Sequence, residues 1–416
     1  MTTFSIQSFG CRINQAEAFT WTDSLQENGL VFLDDTLSSD IVLVNTCTLT
    51  GRADRDVRAF IRKVGRENPD AKIFLTGCGV DRLGEGLQLN EQVVNLFPNA
   101  KKKDLVEAVL AVTGTDPVRS RVPYKSRMLV KIQDGCDFRC RFCVIPSVRG
   151  PSVSIGGDRI FARIEEAIER GFYEIVLTGV NVGLYGRDLS PPESFLALLR
   201  DIAALPGLGR IRLSSLDPRF LEEDLLRFIL SEKKICPHFH LSLQSGSNLV
   251  LRAMGRNIEV ARYREILNTM RDLSPGAALG ADILVGFPGE TDELFEETRA
   301  FLESSPLTSL HVFSYSPRPG TPAAALPNVT ERIVKERMQS LRRLSVARHL
   351  SFRRDQIGRV LEAVVIKKGP RTSLCLTGNY VEVDVERVDA DKGAMVPVRI
   401  TDVTPRTTKG KAEKSR

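Results

Sequence analysis

A chain of 416 residues exceeds one ordinary hydrophobic core, so about two to three domains are expected. Its 42% apolar and 26% charged residues are those of a globular protein, and eight cysteines are too few for a disulfide scaffold; in a reducing compartment they point to metal binding or catalysis. The opening MTTFSIQSFGC has no basic-then-apolar leader, and no run nears the roughly 18 apolar residues of a spanning helix, so a cytoplasmic protein with no membrane partner is expected.

Along residues 1–115, strand-like runs alternate with helical ones. TFSIQSFGC, DIVLVNTC and AKIFLTGC read as short buried strands, with NQAEAFTWTDSLQENG as a helix between the first two. That alternation predicts an α/β domain built on a parallel sheet. VTGTDPVRSRVPY, from Val112 to Tyr124, has no apolar period and reads as a linker. Residues 122–345 carry six further strand candidates: RMLVKIQ, YEIVLTG, RIRLSS, HFHLSLQ, ALGADILVG and SLHVFSYS. Helical stretches such as DRIFARIEEAIER lie between them, at a spacing of roughly 30 residues. A partial (β/α)6 barrel follows, with its site at the carboxyl strand ends QDGC, TGVN, SSLD, SLQSG, VGFPGE and SYSPRPGT. After a charged helical stretch, residues 351–416 alternate with period two and predict a small antiparallel β-barrel. The formal charge of +6 is concentrated there: 14 Lys and Arg stand against 9 Asp and Glu from Ser351 onward, which suits a nucleic-acid partner. Arg371 and the terminal KGKAEKSR, read as a disordered tail, are candidate phosphate contacts.

The chemistry is expected from the cysteines. Cys136, Cys140 and Cys143 form C-x3-C-x2-C directly after the strand LVKIQDG. Structural zinc takes four protein ligands and no fourth is nearby, whereas a thioredoxin-like C-x-x-C would leave Cys136 idle. Three thiolates on a short loop suit a cubane iron–sulfur cluster with one iron left open for a ligand. Upstream, Cys11, Cys47 and Cys78 each end a strand-like run. One such cysteine would be a small buried hydrophobe. Three at equivalent ends of a parallel sheet favour a second three-thiolate site. Cys236 and Cys375 lack this context and read as ordinary core or surface residues. The chain has four histidines, none at a predicted barrel-strand end beside a partner acid, so acid–base catalysis is not expected.

The cysteine triplet after the first strand of a partial barrel resembles the radical S-adenosylmethionine superfamily. GCRINQAEA, VNTCTLT, LTGC, VKIQDGCDFRCRFCVIPSVRG, HLSLQSGSNLVLRAMGR, DILVGFPGET and VFSYSPRPGTPAA resemble, in order, the motifs of its methylthiotransferases. Residues 351–416 are similar to the TRAM RNA-binding domain. The resemblance implies two [4Fe-4S] clusters and S-adenosyl-L-methionine. Cys136, Cys140 and Cys143 would hold the radical-generating cluster, and Cys11, Cys47 and Cys78 an auxiliary one whose sulfur is inserted. It implies an electron donor such as flavodoxin or ferredoxin, a sulfur source, and replacement of a C–H bond by C–S–CH3. Pocket candidates at the strand ends are Gly179, Asn181, Gln244 and Gly286, with Phe142 against the adenine. TGVNVG departs from the family's usual Gly-Gly-Glu at Val180 and Asn181. Arg12-Ile13-Asn14 after the first cysteine is most similar to the subgroup acting on N6-threonylcarbamoyladenosine in the tRNA anticodon loop. The other members act on isopentenyladenosine in tRNA or on an aspartate of a ribosomal protein. A non-catalytic iron–sulfur RNA-binding protein is the reading from a different class.

Overall fold

The computed structural model describes residues 1–113, 123–386 and 388–413. It divides into two compact units: Met1–Lys125 with Asp134–Phe138 and Cys143–Ser152, and Ser126–Gln133 with Arg139–Phe142 and Val153–Arg416. No described helix is long and apolar enough to cross a membrane.

The first unit is built on five parallel strands: β1 (Thr3–Ser8), β2 (Val31–Phe32), β3 (Ile41–Thr46), β4 (Lys72–Gly77) and β5 (Val93–Phe97), in the order β2-β1-β3-β4-β5. The central strand β3, IVLVNT, is buried at every position, as expected of a strand covered on both faces. Helix α1 (Arg12–Glu27) starts one residue after Cys11, earlier than its apolar run suggests. Helix α2 (Gly51–Glu67) places Val57, Ile61 and Val64 on one face, against Val42, Val44, Ile73 and Leu75 of the sheet. The Thr50 side chain caps it, accepting the Ala53 N–H at 3.1 Å. A third helix, α3 (Cys78–Leu83), leaves β4 through Gly77 at φ +97°, where a Cβ would lie 2.5 Å from Thr46 O. Only glycine fits that turn.

The predicted linker needs correction at one end. Tyr124 is buried, edge-on to Phe19 at 5.2 Å and Phe32 at 5.7 Å, and so belongs to the core of this unit. Residues 114–122 of that stretch lie outside the described residues. A lone aromatic among Pro, Gly and Ser carries no periodic signal, which is why the sequence hid it.

In the second unit, β6 (Met128–Lys131), β7 (Glu174–Thr178) and β8 (Arg210–Leu213) form one parallel ladder. Strands β9 (His238–Gln244), β10 (Ala278–Val285) and β11 (Ser309–Ser314) form another. Parallel bridges from Ile211 to Ile235 and from Leu216 to Leu241 join the two ladders into a partial six-stranded barrel. The long helix Glu331–Arg354 follows, and Phe352 near its end enters the core of the last module.

That module is a closed barrel of β12 (Val360–Lys367), β13 (Thr372–Thr377), β14 (Glu382–Glu386), β15 (Met395–Val403) and β16 (Thr408–Ala412). Its pairings are antiparallel except β14 with β16, which is parallel. Much of the tail read as disordered is therefore a strand. Thr408 and Gly410 point inward while Lys409 and Lys411 are exposed, so the charges mask a period-two pattern. A Cβ on Gly410 would lie 2.5 Å from Val398 Cγ1. Residues 414–416 lie outside the described residues.

One buried ion cluster ties the module to the partial barrel. Glu174, fully buried on β7, accepts from Arg212 Nε at 2.7 Å, Arg210 Nε at 2.7 Å and Arg127 Nη1 at 3.2 Å. The two barrel arginines reach on into the module. Arg212 donates to Gly378 O at 2.9 Å and Thr377 O at 3.1 Å, and Arg210 to Glu362 O and Leu376 O at 3.1 Å each. Burial works against the Glu174 charge, yet the three guanidiniums override it and lower its pKa to about 2. The stabilisation is complete above the ordinary Glu pKa and is lost as pH falls toward 2. Glu174→Gln leaves buried cations uncompensated and is expected to cost about 3–5 kcal/mol in denaturant unfolding of the cofactor-free chain at pH 7. A loss under about 1 kcal/mol would show that the cluster does not hold the module in place.

Candidate metal and cofactor sites

In a parallel sheet the carboxyl ends of all strands share one edge. Cys11 follows β1, Cys47 follows β3 and Cys78 follows β4, and these three strands are neighbours in the sheet. The structure thus brings the three upstream cysteines together. Gly10 at φ +84° passes so close to Cys47 that a Cβ there would lie 2.5 Å from its Sγ. Cys47 and Cys78 are buried, and Cys11 is half-buried. Burial pushes the Cys47 thiol up to about 12, and the neighbouring sulfurs of Cys11 and Cys78 push the same way. Burial also raises Cys11, against the pull of Arg149.

The polar groups around these thiols are ordered. Asn14 Nδ2 donates to Phe9 O at 2.9 Å and Thr46 O at 3.1 Å, fastening the ends of β1 and β3 together. Asn45 Nδ2 donates to Glu17 Oε2 at 3.0 Å, and Lys102 Nζ donates to the same oxygen at 2.6 Å. Arg149 Nε lies 3.2 Å from Cys78 Sγ.

Cys136, Cys140 and Cys143 lie on the loop after β6, each half-buried. Gly135 at φ +68° sets the loop's start, since a Cβ there would sit 1.8 Å from Pro151 O. The Cys136 N–H donates to Gly150 O at 3.1 Å. Further along, the Arg141 N–H donates to Met254 O and its carbonyl accepts from the Ala323 N–H, both at 2.9 Å. Phe142 packs edge-on to Phe287, with ring centroids 6.5 Å apart, and stays half-exposed.

The other sequence candidates sit at carboxyl strand ends of the second unit. Past β7, a Cβ on Gly179 would lie 2.9 Å from Gln133 Oε1. Asn181 is held by protein groups: its N–H donates to Gln133 Oε1 at 2.9 Å, its Nδ2 to Asp217 Oδ2 at 3.4 Å, and its Oδ1 accepts the Gly183 N–H. Gln244 ends β9 at φ +81°, a left-handed conformation that costs a non-glycine residue roughly 1–2 kcal/mol. Gly286, past β10, has φ +76° and donates to Glu290 Oε2 at 2.8 Å; Arg337 in turn pairs with that carboxylate at 2.7 Å.

Two family models match the chain, the radical SAM superfamily over residues 130–302 and uncharacterized protein family UPF0004 over residues 3–98. The threonylcarbamoyladenosine tRNA methylthiotransferase MtaB of Rickettsia prowazekii is 35% identical over 92% of this chain and 91% of its own length. The proteins of that name from Aquifex aeolicus and Thermotoga maritima are 34% and 32% identical, over 92% and 89% of this chain and 96% and 88% of theirs. The chain belongs to the radical S-adenosylmethionine methylthiotransferase family. Among solved structures, the radical S-adenosylmethionine methyltransferase TsrM from Kitasatospora setae, with cobalamin and a [4Fe-4S] cluster bound, has a TM-score of 0.57 at 17% identity. That match spans 78% of this chain and 77% of TsrM and speaks to the fold alone.

Membership of the methylthiotransferases implies S-adenosylmethionine and a [4Fe-4S] cluster. The donor sets fit iron–sulfur ligation. Thiols crowded in a water-poor pocket ionise only against a compensating cation, and bound iron supplies one.

Two features of this methylthiotransferase escaped the sequence reading. Arg149, Asn14 and Glu17 lie about the upstream thiols, and Arg149 is 71 residues from the Cys78 it touches. His240 on β9, Asp282 on β10 and His311 on β11 meet across three adjacent strands, with ligand-type atoms within 4.8 Å. They lie mid-strand, so inspection of the strand ends passes over them. Burial opposes the Asp282 charge, but hydrogen bonds from both imidazoles lower its pKa to about 2. His240 Nε2 lies 2.8 Å from Asp282 Oδ1.

The closeness of Gly10 to Cys47 gives a direct check. Gly10→Ala adds a left-handed penalty of about 1–2 kcal/mol and an overlap of about 1–3 kcal/mol. Gly171→Ala, at φ +79° with open space around it, adds only the first. Denaturant unfolding of the cofactor-free chain is expected to show Gly10→Ala as clearly the more damaging. Equal losses would mean that Cys47 does not press on Gly10.

Proposed function

We propose that this chain inserts a methylthio group at C2 of N6-threonylcarbamoyladenosine beside the tRNA anticodon. The observation that carries the reading is similarity to three tRNA methylthiotransferases of that specificity over nearly the whole chain. Cys136, Cys140 and Cys143 hold one [4Fe-4S] cluster, and Cys11, Cys47 and Cys78 hold a second. The convergence of the upstream thiols at one sheet edge supports the second set. When bound, the first cluster supplies the electron that cleaves S-adenosylmethionine and so opens hydrogen-atom chemistry; an aromatic C–H is too weak an acid for a positioned base.

The chain's own residues bind and position. Gly179, Asn181, Gln244, Gly286 and Phe142 form the S-adenosylmethionine pocket. Asn181 stands where an acid is usual in the family, and with its backbone N–H committed to Gln133 and its side-chain amide to Asp217 and Gly183 it shapes the turn more than it grips the cofactor. Glu290, clamped by Arg337, holds the turn at Gly286. Functionally the chain divides into an auxiliary-cluster segment at 1–115, a radical-forming barrel at 122–345 and an RNA-binding barrel at 351–416. Exposed Arg371, Lys409 and Lys411 on the last module meet tRNA phosphates, which makes affinity salt-dependent. An electron donor of the flavodoxin or ferredoxin type and a separate sulfur source complete the system, in the cytoplasm where tRNA is modified.

The test is expression in a bacterium lacking its own tRNA methylthiotransferases, with nucleosides read by mass spectrometry. The 2-methylthio derivative of threonylcarbamoyladenosine is expected with the parent chain, and it should be absent with Cys47→Ala and with Cys140→Ala. Methylthiolated isopentenyladenosine would overturn the substrate. Unchanged tRNA from a chain loaded with both clusters would overturn the tRNA reading in favour of a protein substrate.

A further inference from the structure

Arg149 ends the short helix Ile145–Arg149, and its side chain is 1% exposed. A guanidinium has five N–H donors in a rigid planar fork, and burying it demands that they be used. Here Nη1 donates to Asp134 Oδ1 at 2.8 Å and Oδ2 at 3.0 Å and to Glu17 Oε1 at 3.3 Å. Nη2 donates to Asn14 Oδ1 at 2.6 Å. The remaining nitrogen, Nε, donates to Cys78 Sγ at 3.2 Å.

The fork is held from behind. Glu17 is itself gripped by Lys102 and Asn45, and Asn14 is bound to the ends of β1 and β3. Rotating Arg149 away from the sulfur would break several buried bonds, so the N–H···S contact is built into the unit. A simple clamp between helices would need carbonyl or carboxylate acceptors only. This one aims a charged donor at a thiol of the candidate cluster site.

We propose that Arg149 is a positioning residue that raises the reduction potential of the cluster held by Cys11, Cys47 and Cys78, through its Nε–H bond to Cys78 Sγ. The inference rests on the reading that those three cysteines hold a cluster. Its physical basis is general: hydrogen bonds to the sulfurs and nearby charge tune iron–sulfur potentials. Each reduction adds negative charge, which a fixed cation in a low-dielectric pocket stabilises. Lysine would keep the charge but lose the planar fork.

The test uses the full chain carrying Cys136→Ala, Cys140→Ala and Cys143→Ala, reconstituted anaerobically so that only the upstream cysteines hold a cluster. Its potential is read by redox titration followed by electron paramagnetic resonance, in that parent and with Arg149→Met or Arg149→Lys added. At equal iron content, Arg149→Met is expected to lower the reduced-to-oxidised ratio at a fixed potential at least tenfold, about 59 mV for one electron. Arg149→Lys is expected to fall between the two. Potentials matching the parent in both variants would overturn the inference. If Arg149→Met takes up no iron, Arg149→Lys decides alone: a more negative potential supports the assignment and an unchanged one overturns it. A parent that takes up no iron would overturn the cluster reading, and the inference with it.

Discussion

Parallel strands deliver their carboxyl ends to a common edge, and this chain places its reactive groups on that edge in both units. In the first unit, β1, β3 and β4 are neighbours, so cysteines placed immediately after each of them meet without any long loop. The turns that make this possible are glycines under tight steric limits, Gly10 beside Cys47 and Gly77 before Cys78. In the second unit the same rule places the Gly179 turn after β7 and the Gly286 turn after β10 at the carboxyl edge. The opposite edge is free for structural work, and the chain uses it to seat the C-terminal barrel.

Buried charge shows how each unit supports that arrangement. Glu174 and Arg210 begin β7 and β8, Arg127 precedes β6, and Arg212 lies two residues further along β8. Arg210 and Arg212 donate to four carbonyls of the C-terminal module. Tyr380, itself at φ +65°, stacks on His238 at 4.2 Å beside them. Arg212, Leu376 and Thr377 are buried there, so the C-terminal module is packed onto the barrel and is not a tethered appendage. In the first unit, Arg149, Glu17 and Asp134 form a smaller buried network with a thiol as its fourth member. Each network satisfies the requirement that a buried ion be paired and hydrogen-bonded. One joins the C-terminal module to the barrel, and the other reaches the thiol of Cys78.

Much of this was legible in the sequence, for identifiable reasons. β3 and β4 read as strands because the short continuous apolar runs IVLV and IFL suit a doubly covered sheet, and the cysteines directly after them inherit a common edge. The six barrel strands were visible from their apolar character and the polar, glycine-rich residues that end them. β16 was hidden because Lys409 and Lys411, pointing outward, make a strand look like a charged tail. Tyr124 was hidden because a single aromatic in a stretch with no apolar period carries no signal. Arg149 could not be paired with Cys78 across 71 residues, nor His240 with Asp282 across 42, by any local period. Spacing reveals what shares an element; contacts between elements need the fold.

The proposed chemistry requires that the two cysteine sets bind iron independently. Iron and acid-labile sulfide should be counted after anaerobic reconstitution of the parent chain, of Cys47→Ala and of Cys140→Ala. About eight iron atoms per parent chain, and about four in each variant, is the result predicted for two separate cubane clusters. A parent that binds only about four, with none lost in Cys47→Ala, would contradict it.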